Sequence, residues 1–74
     1  MKGIDEKMVR RVADRAEEAW KAGELFHFWG FAWYASNPVD NWHNLHAFDG
    51  EDYKTVAVYQ RNEAGELVNL EVLA

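Results

Sequence analysis

The chain predicts an α+β fold: one N-terminal amphipathic helix packed on a four-stranded antiparallel β-meander. Three observations carry this expectation. Apolar residues recur at three- and four-residue spacing from Met8 to Trp20, as on one face of a helix. From Leu25 onward the pattern changes to ring-rich and alternating segments, which suit a pleated surface. Turn signals at Ser36-Asn37-Pro38, Asp49-Gly50 and Glu63-Ala64-Gly65 then divide the remainder into strand-length pieces.

The helix is expected from Glu6 to Ala22, with Met8, Val9, Val12, Ala13, Ala16, Ala19 and Trp20 on its apolar stripe. Asp5 is placed to cap the free N–H groups, and Ile4 and Val9 to form a hydrophobic staple across the cap. Glu6–Arg10 and Glu17–Lys21 are i,i+4 pairs in the favourable orientation, and Gly23 supplies a left-handed stop. The first strand is expected over Leu25 to Ala35, where six aromatic rings fall between Leu25 and Tyr34. Trp42 to Phe48, Tyr53 to Gln60 and Glu66 to Leu73 follow as the other strands. A competing reading makes residues 38–47 a short helix, with Asn37 as its cap and Pro38 at its first position.

Strand alternation assigns faces. Trp29, Phe31, Trp33, Val56, Val58, Val68, Leu70 and Val72 are expected to pack on Met8, Val12, Ala16 and Trp20. Phe26, Phe28, Tyr34, Tyr53 and Tyr59 then share the opposite face, joined by Leu67 and Leu73. Both ring sets of the first strand are apolar, so either could meet the helix. A single helix covers one face only, and an apolar face left open marks an interaction site.

The 74 residues make one domain, residues 1–74, with no cysteine. At this length only roughly 60% of the unfolded chain's surface is buried on folding, so large side chains must supply the core. Apolar residues make up 49% and aromatics 15% of the chain, which excludes disorder. From Asp5 to Lys21 five acids balance five bases, so the net charge of −5 arises outside that segment. In a four-stranded meander Glu24, Asp49, Glu51 and Asp52 gather at one end of the sheet, and Asp40, Glu63 and Glu66 at the other. Such ends repel a phosphate backbone and disfavour direct nucleic-acid binding. The start of the chain lacks the pattern of a secretory leader, and Leu25–Ala35 is too short to span a bilayer. A cytoplasmic protein with no membrane contact is expected.

Catalytic raw material is sparse. Ser36 is the only serine, Thr55 the only threonine, and thiolate chemistry is absent. Gly30 has no turn role in this reading and is assigned to close packing against a neighbouring ring. His43 and His46 stand at i,i+3 near Asp40, Asp49, Glu51 and Asp52; on a helix they could share a metal ion, whereas on a strand they face opposite ways. His27 reads as a packed strand residue. No cofactor, no metal and no enzymatic activity are therefore expected.

The leading expectation is a non-enzymatic protein-binding module, a small acidic regulator or inhibitor. It would dock on a protein with a basic surface through Phe26, Phe28, Tyr34, Tyr53 and Tyr59 together with Asp49, Glu51 and Asp52. Compact acidic phage-borne inhibitors, anti-CRISPR proteins among them, are similar in size and charge; no motif carries that likeness. Two alternatives stand beside it: a small metal- or ligand-binding protein using His43, His46 and nearby carboxylates, and a structural homodimer.

Overall fold

The computed structural model describes residues 3–36 and 38–74. Asn37, invoked above in the turn and as the cap of the alternative helix, lies outside the described residues. Helix α1 spans Glu6–Lys21. Asp5 caps it from extended backbone, its carboxylate accepting the Met8 N–H at 2.9 Å. Ile4 and Val9 are both buried, as the staple requires, and Gly23 leaves the helix at φ 74°. Glu6 pairs with Arg10 at 3.0 Å. Glu17 does not pair with Lys21; it turns toward the sheet instead. Among the described residues no helix is long and apolar enough to cross a membrane.

Among the described residues five strands follow, not four: β1 Phe26–Phe28, β2 Phe31–Ala35, β3 Trp42–Phe48, β4 Tyr53–Arg61 and β5 Leu67–Val72. They lie in sequence order in one sheet, each antiparallel to its neighbour. The expected strand Leu25–Ala35 is broken by a two-residue hairpin turn in which Trp29 (φ 53°) and Gly30 (φ 79°) both adopt left-handed backbone. Glycine takes that conformation freely and tryptophan does not. Packing fixes the turn: the Trp29 ring lies over Gly3, where a Cβ would come within 2.3 Å of it. Gly30 thus serves the turn, and nothing crowds the position a Cβ would take there.

The extra turn changes which rings meet the helix. In a hairpin, cross-strand partners share a face, and the register pairs Phe26 with Trp33 and Phe28 with Phe31. All four rings therefore lie on the helix side, around the fully buried Trp33, whose indole N–H donates to Phe28 O at 2.9 Å. Trp29 is half exposed in the turn instead of packing under the helix.

Residues 38–47 form no helix. Val39 and Trp42 bond to each other's backbone across Asp40 and Asn41, both at positive φ, and β3 begins there. Between β3 and β4 the register slips: Leu45 pairs with Ala57, but His46 pairs with Thr55. Val56 is the additional residue of this β-bulge, so Val56 and Ala57 are both fully buried. Beyond the bulge the faces of β4 are exchanged relative to simple alternation. Tyr59 enters the core at 0% exposure, while Tyr53 stays on the outer face. A second irregularity in β5 at Asn69 (φ 53°) turns Leu67, Leu70 and Val72 toward the core and leaves Val68 opposite Gln60 outside.

Val56 and Val58, expected on one face, therefore occupy different environments. Val56→Ala should destabilise the protein by about 2 kcal/mol, since burial and cavity terms combine. Val58→Ala should cost less than about 1 kcal/mol at its partly open site. Urea unfolding of both variants checks this; equal losses would contradict the bulge.

Candidate functional site

Two polar–aromatic clusters sit on opposite faces of the sheet. The first lies between α1 and β4, around Glu17. Its Oε2 accepts from the Tyr59 hydroxyl at 2.6 Å and from Arg61 Nε at 3.0 Å, and it also receives Arg61 Nη2. Arg61 reaches on to Asp14 at 2.6 Å and to the Gly65 carbonyl in the β4–β5 turn. Its guanidinium stands 5.5 Å from the Tyr59 ring centroid, and the His43 ring stacks on Tyr59 with centroids 5.1 Å apart. His43 Nδ1 is buried without a hydrogen-bond partner, 3.6 Å from Glu17 Oε1. Burial, then the bond to Glu17, push the Tyr59 hydroxyl up. Burial opposes the charge on Arg61, but the bonds and charge of Glu17 and then Asp14 outweigh it and raise its pKa. This cluster ties helix to sheet.

The second cluster lies on the outer face, which the helix does not cover. His46 is 8% exposed there, stacked 4.7 Å from Tyr34 and 5.7 Å from Tyr53. Trp20 reaches from the end of α1 to stack on Tyr34 at 5.1 Å, so it belongs to this row and not to the core, and remains 40% exposed. Ser36 Oγ lies 3.1 Å from His46 Nε2; Thr55 Oγ1 lies 3.1 Å and Tyr53 Oη 3.3 Å from Nδ1. With the proton on Nδ1, that nitrogen donates to a β4 hydroxyl and Nε2 accepts from Ser36. A serine hydroxyl bonded to a neutral imidazole is an arrangement that general-base chemistry uses. Burial lowers the His46 pKa.

Around this row the outer face continues through Trp42, Phe48, Val58, Gln60 and Val68. Tyr53, Phe48 and Trp42 are 55%, 38% and 38% exposed. Phe48 and Tyr53 pair across the start of the Asp49–Asp52 turn, so the acidic turn adjoins the aromatic face directly. Asp49 accepts the backbone N–H groups of Glu51 at 2.9 Å and Asp52 at 2.8 Å, and these bonds lower its pKa. Glu51 and Asp52 are left exposed.

The sequence-derived docking residues divide accordingly. Tyr34, Tyr53, Asp49, Glu51 and Asp52 are brought together at the outer face; Phe26, Phe28 and Tyr59 lie on the helix side. The additional hairpin also reverses the end at which the chain leaves α1. Glu24 thus joins Asp40, Glu63 and Glu66, away from Asp49–Asp52. His43 and His46 face opposite sides of β3, opposite Tyr59 and Thr55, and cannot share an ion. Among the described residues no three His, Asp or Glu side chains gather as a metal site requires. His27 is exposed, next to a groove of about 530 Å³ between the β1–β2 and β3–β4 turns. Trp20, Trp42 and Phe48 were not anticipated as members of this surface. The alternation of Trp42, Asn44, His46 and Phe48 along one strand face was the available signal.

Both clusters lead to stability measurements. Glu17→Gln should cost about 2 kcal/mol or more, because it leaves Arg61 and Tyr59 partnered by a neutral group in a largely buried setting. Asp14→Asn, at an exposed position, should cost less than about 1 kcal/mol; equal costs in urea unfolding would remove Glu17 from its central role. For His46 the folded pKa lies below the unfolded value of about 6.5, so the unfolded chain binds the proton more readily. Its contribution is complete above about pH 6.5 and is lost as pH falls through the lower folded value. The parent should therefore lose more stability between pH 7.5 and pH 5 than His46→Gln does. Equal losses would contradict this.

No family model, curated protein or solved structure matches this chain, so its function has to be read from its own geometry.

Proposed function

We propose that the protein is a non-enzymatic binding module, a small acidic regulator or inhibitor in the cytoplasm that docks on another protein through the outer face of its sheet. The observation that carries this is the character of that face. Trp42, Phe48, Tyr34 and Tyr53 form an aromatic surface without formal charge on β2, β3 and β4, and among the described residues no layer covers it. Tyrosine and tryptophan suit such a role, having apolar bodies with polar tips that tolerate water before binding. The Asp49–Asp52 turn at its rim fits a partner whose apolar patch is bordered by basic side chains. A net charge of −5 argues against nucleic acid as the partner.

Tyr53→Ala and Phe48→Ala should each leave stability within about 1 kcal/mol of the parent, since both side chains are substantially exposed. Each should weaken partner binding by about 2 kcal/mol, some 30-fold. Affinity capture from source cells with parent and variant baits, followed by titration of the protein lost from the variants, measures this. Amides at Asp49, Glu51 and Asp52 should slow association chiefly at low salt, because such attraction is screened over about 8 Å at physiological ionic strength. Undiminished capture by the Tyr53 and Phe48 variants would reject the surface. A tight dimer that Tyr53→Ala dissociates would make a second copy the occupant.

The Ser36–His46 bond favours one other reading, weak acyl transfer at Ser36. A burst of nitrophenolate from nitrophenyl acetate, with the acetyl group on Ser36 by mass spectrometry, would establish it. Lack of both assigns the pair to holding the outer face together.

A further inference from the structure

Five of this acidic protein's eight Lys and Arg residues lie on α1, and two of them stand over the sheet edge. Arg11 and Arg15, one helical turn apart, place their guanidinium carbons 5.8 Å from the Phe28 ring centroid and 5.9 Å from that of Phe26. The two rings stack on each other at 5.8 Å and 9°. Between helix and strand lies a cleft of about 310 Å³ lined by Arg11, Val12, Arg15, Phe26 and Phe28. Both arginines are exposed, and neither is ion-paired among the described residues, whereas Arg10 and Arg61 are. Strand β1 is the end of the sheet, so among the described residues one side of its backbone has no strand partner.

We propose that this edge is a docking site for an extended acidic peptide, which adds to β1 as a sixth strand and directs carboxylates at alternate positions onto Arg11 and Arg15. The spacing supports this occupant. Successive residues on one face of a strand lie about 6.6–6.8 Å apart, and four residues of helix rise about 6 Å. Two glutamates at i and i+2 therefore match two arginines at i and i+4. Each guanidinium can hold a carboxylate in a bidentate pair while its face remains on the phenyl ring. The backbone ladder supplies affinity and the arginine row selects charge, as in other strand-addition sites. A polyanionic nucleic acid is disfavoured by the acidic turns at both ends of the sheet. This surface is separate from the outer face, so either can fail without the other.

The probe is a capped seven-residue peptide alternating threonine and glutamate, with a threonine–glutamine peptide as control. NMR titration should shift the amides of Phe26, His27 and Phe28 and the Nε–H signals of Arg11 and Arg15, leaving Tyr53 and Trp42 unmoved. Affinity should fall at least tenfold in 0.5 M salt, with the glutamine control, and in the Arg11→Gln/Arg15→Gln variant. That variant should retain the parent's melting temperature. If it is less stable, Arg11→Lys/Arg15→Lys keeps the charge without the planar fork and should still lose most of the affinity. Equal binding of the glutamine peptide, or shifts centred elsewhere, would overturn the proposal. So would inorganic phosphate or a short single-stranded DNA binding at Arg11 and Arg15 more tightly than the acidic peptide.

Discussion

One helix can cover one face of a sheet, and the remaining architecture follows from how this chain decides which face that is. Glu17 makes the decision physically. Together with Asp14, which also meets Arg61, it ties α1 to β4, taking hydrogen bonds from Tyr59 and Arg61 across 42 and 44 positions of sequence. A largely buried carboxylate is tolerated only if its lone pairs are filled. Satisfying Glu17 therefore requires Tyr59 to face inward and Arg61 to reach back over it. With Tyr59 inward, the bulge at Val56 leaves Tyr53 outward. The outer aromatic row, His46 included, thus follows from a polar contact on the opposite side of the sheet.

The outer face is built differently from the core. Trp33, Leu45 and Val56 fill space between layers, whereas the Tyr34 and Tyr53 rings stack on the His46 ring along a single layer. Hydrogen bonds to Ser36 and Thr55 hold the imidazole in the middle of that row, so its rings present a fixed surface. A rigid aromatic surface loses little side-chain entropy on binding. The turns at the sheet ends carry Glu24, Asp40, Asp49, Glu51, Asp52, Glu63 and Glu66, and the exposed Arg11 and Arg15 stand along α1 beside β1.

The parts legible in the sequence were those set by local chemistry. The cap at Asp5, the staple of Ile4 and Val9, the stop at Gly23 and the three C-terminal strands follow from residues within a few positions of one another. What escaped were the points where an unlikely backbone is held by distant packing. Trp29-Gly30 makes a hairpin turn because Trp29 rests on Gly3, and no local signal marks tryptophan for left-handed backbone. Missing that single turn miscounted the strands, inverted the faces of Phe26 and Phe28 and moved Glu24 to the wrong end. The bulge at Val56 had no sequence marker, whereas Asn69, a residue that tolerates positive φ, was a usable sign of the irregularity in β5. Glu17 read as a surface residue because its partners lie more than forty residues away.

The free protein presents the face of Trp42, Phe48 and Tyr53 to water and covers the face of Trp33 and Tyr59. Paramagnetic relaxation of side-chain protons by an inert gadolinium chelate, measured on dilute protein, tests it most directly. Strong enhancement at the Trp42 and Tyr53 rings, with Trp33 and Tyr59 nearly silent, is the result the geometry requires. Silent Trp42 and Tyr53 rings in dilute solution, or a strongly relaxed Tyr59, would contradict it.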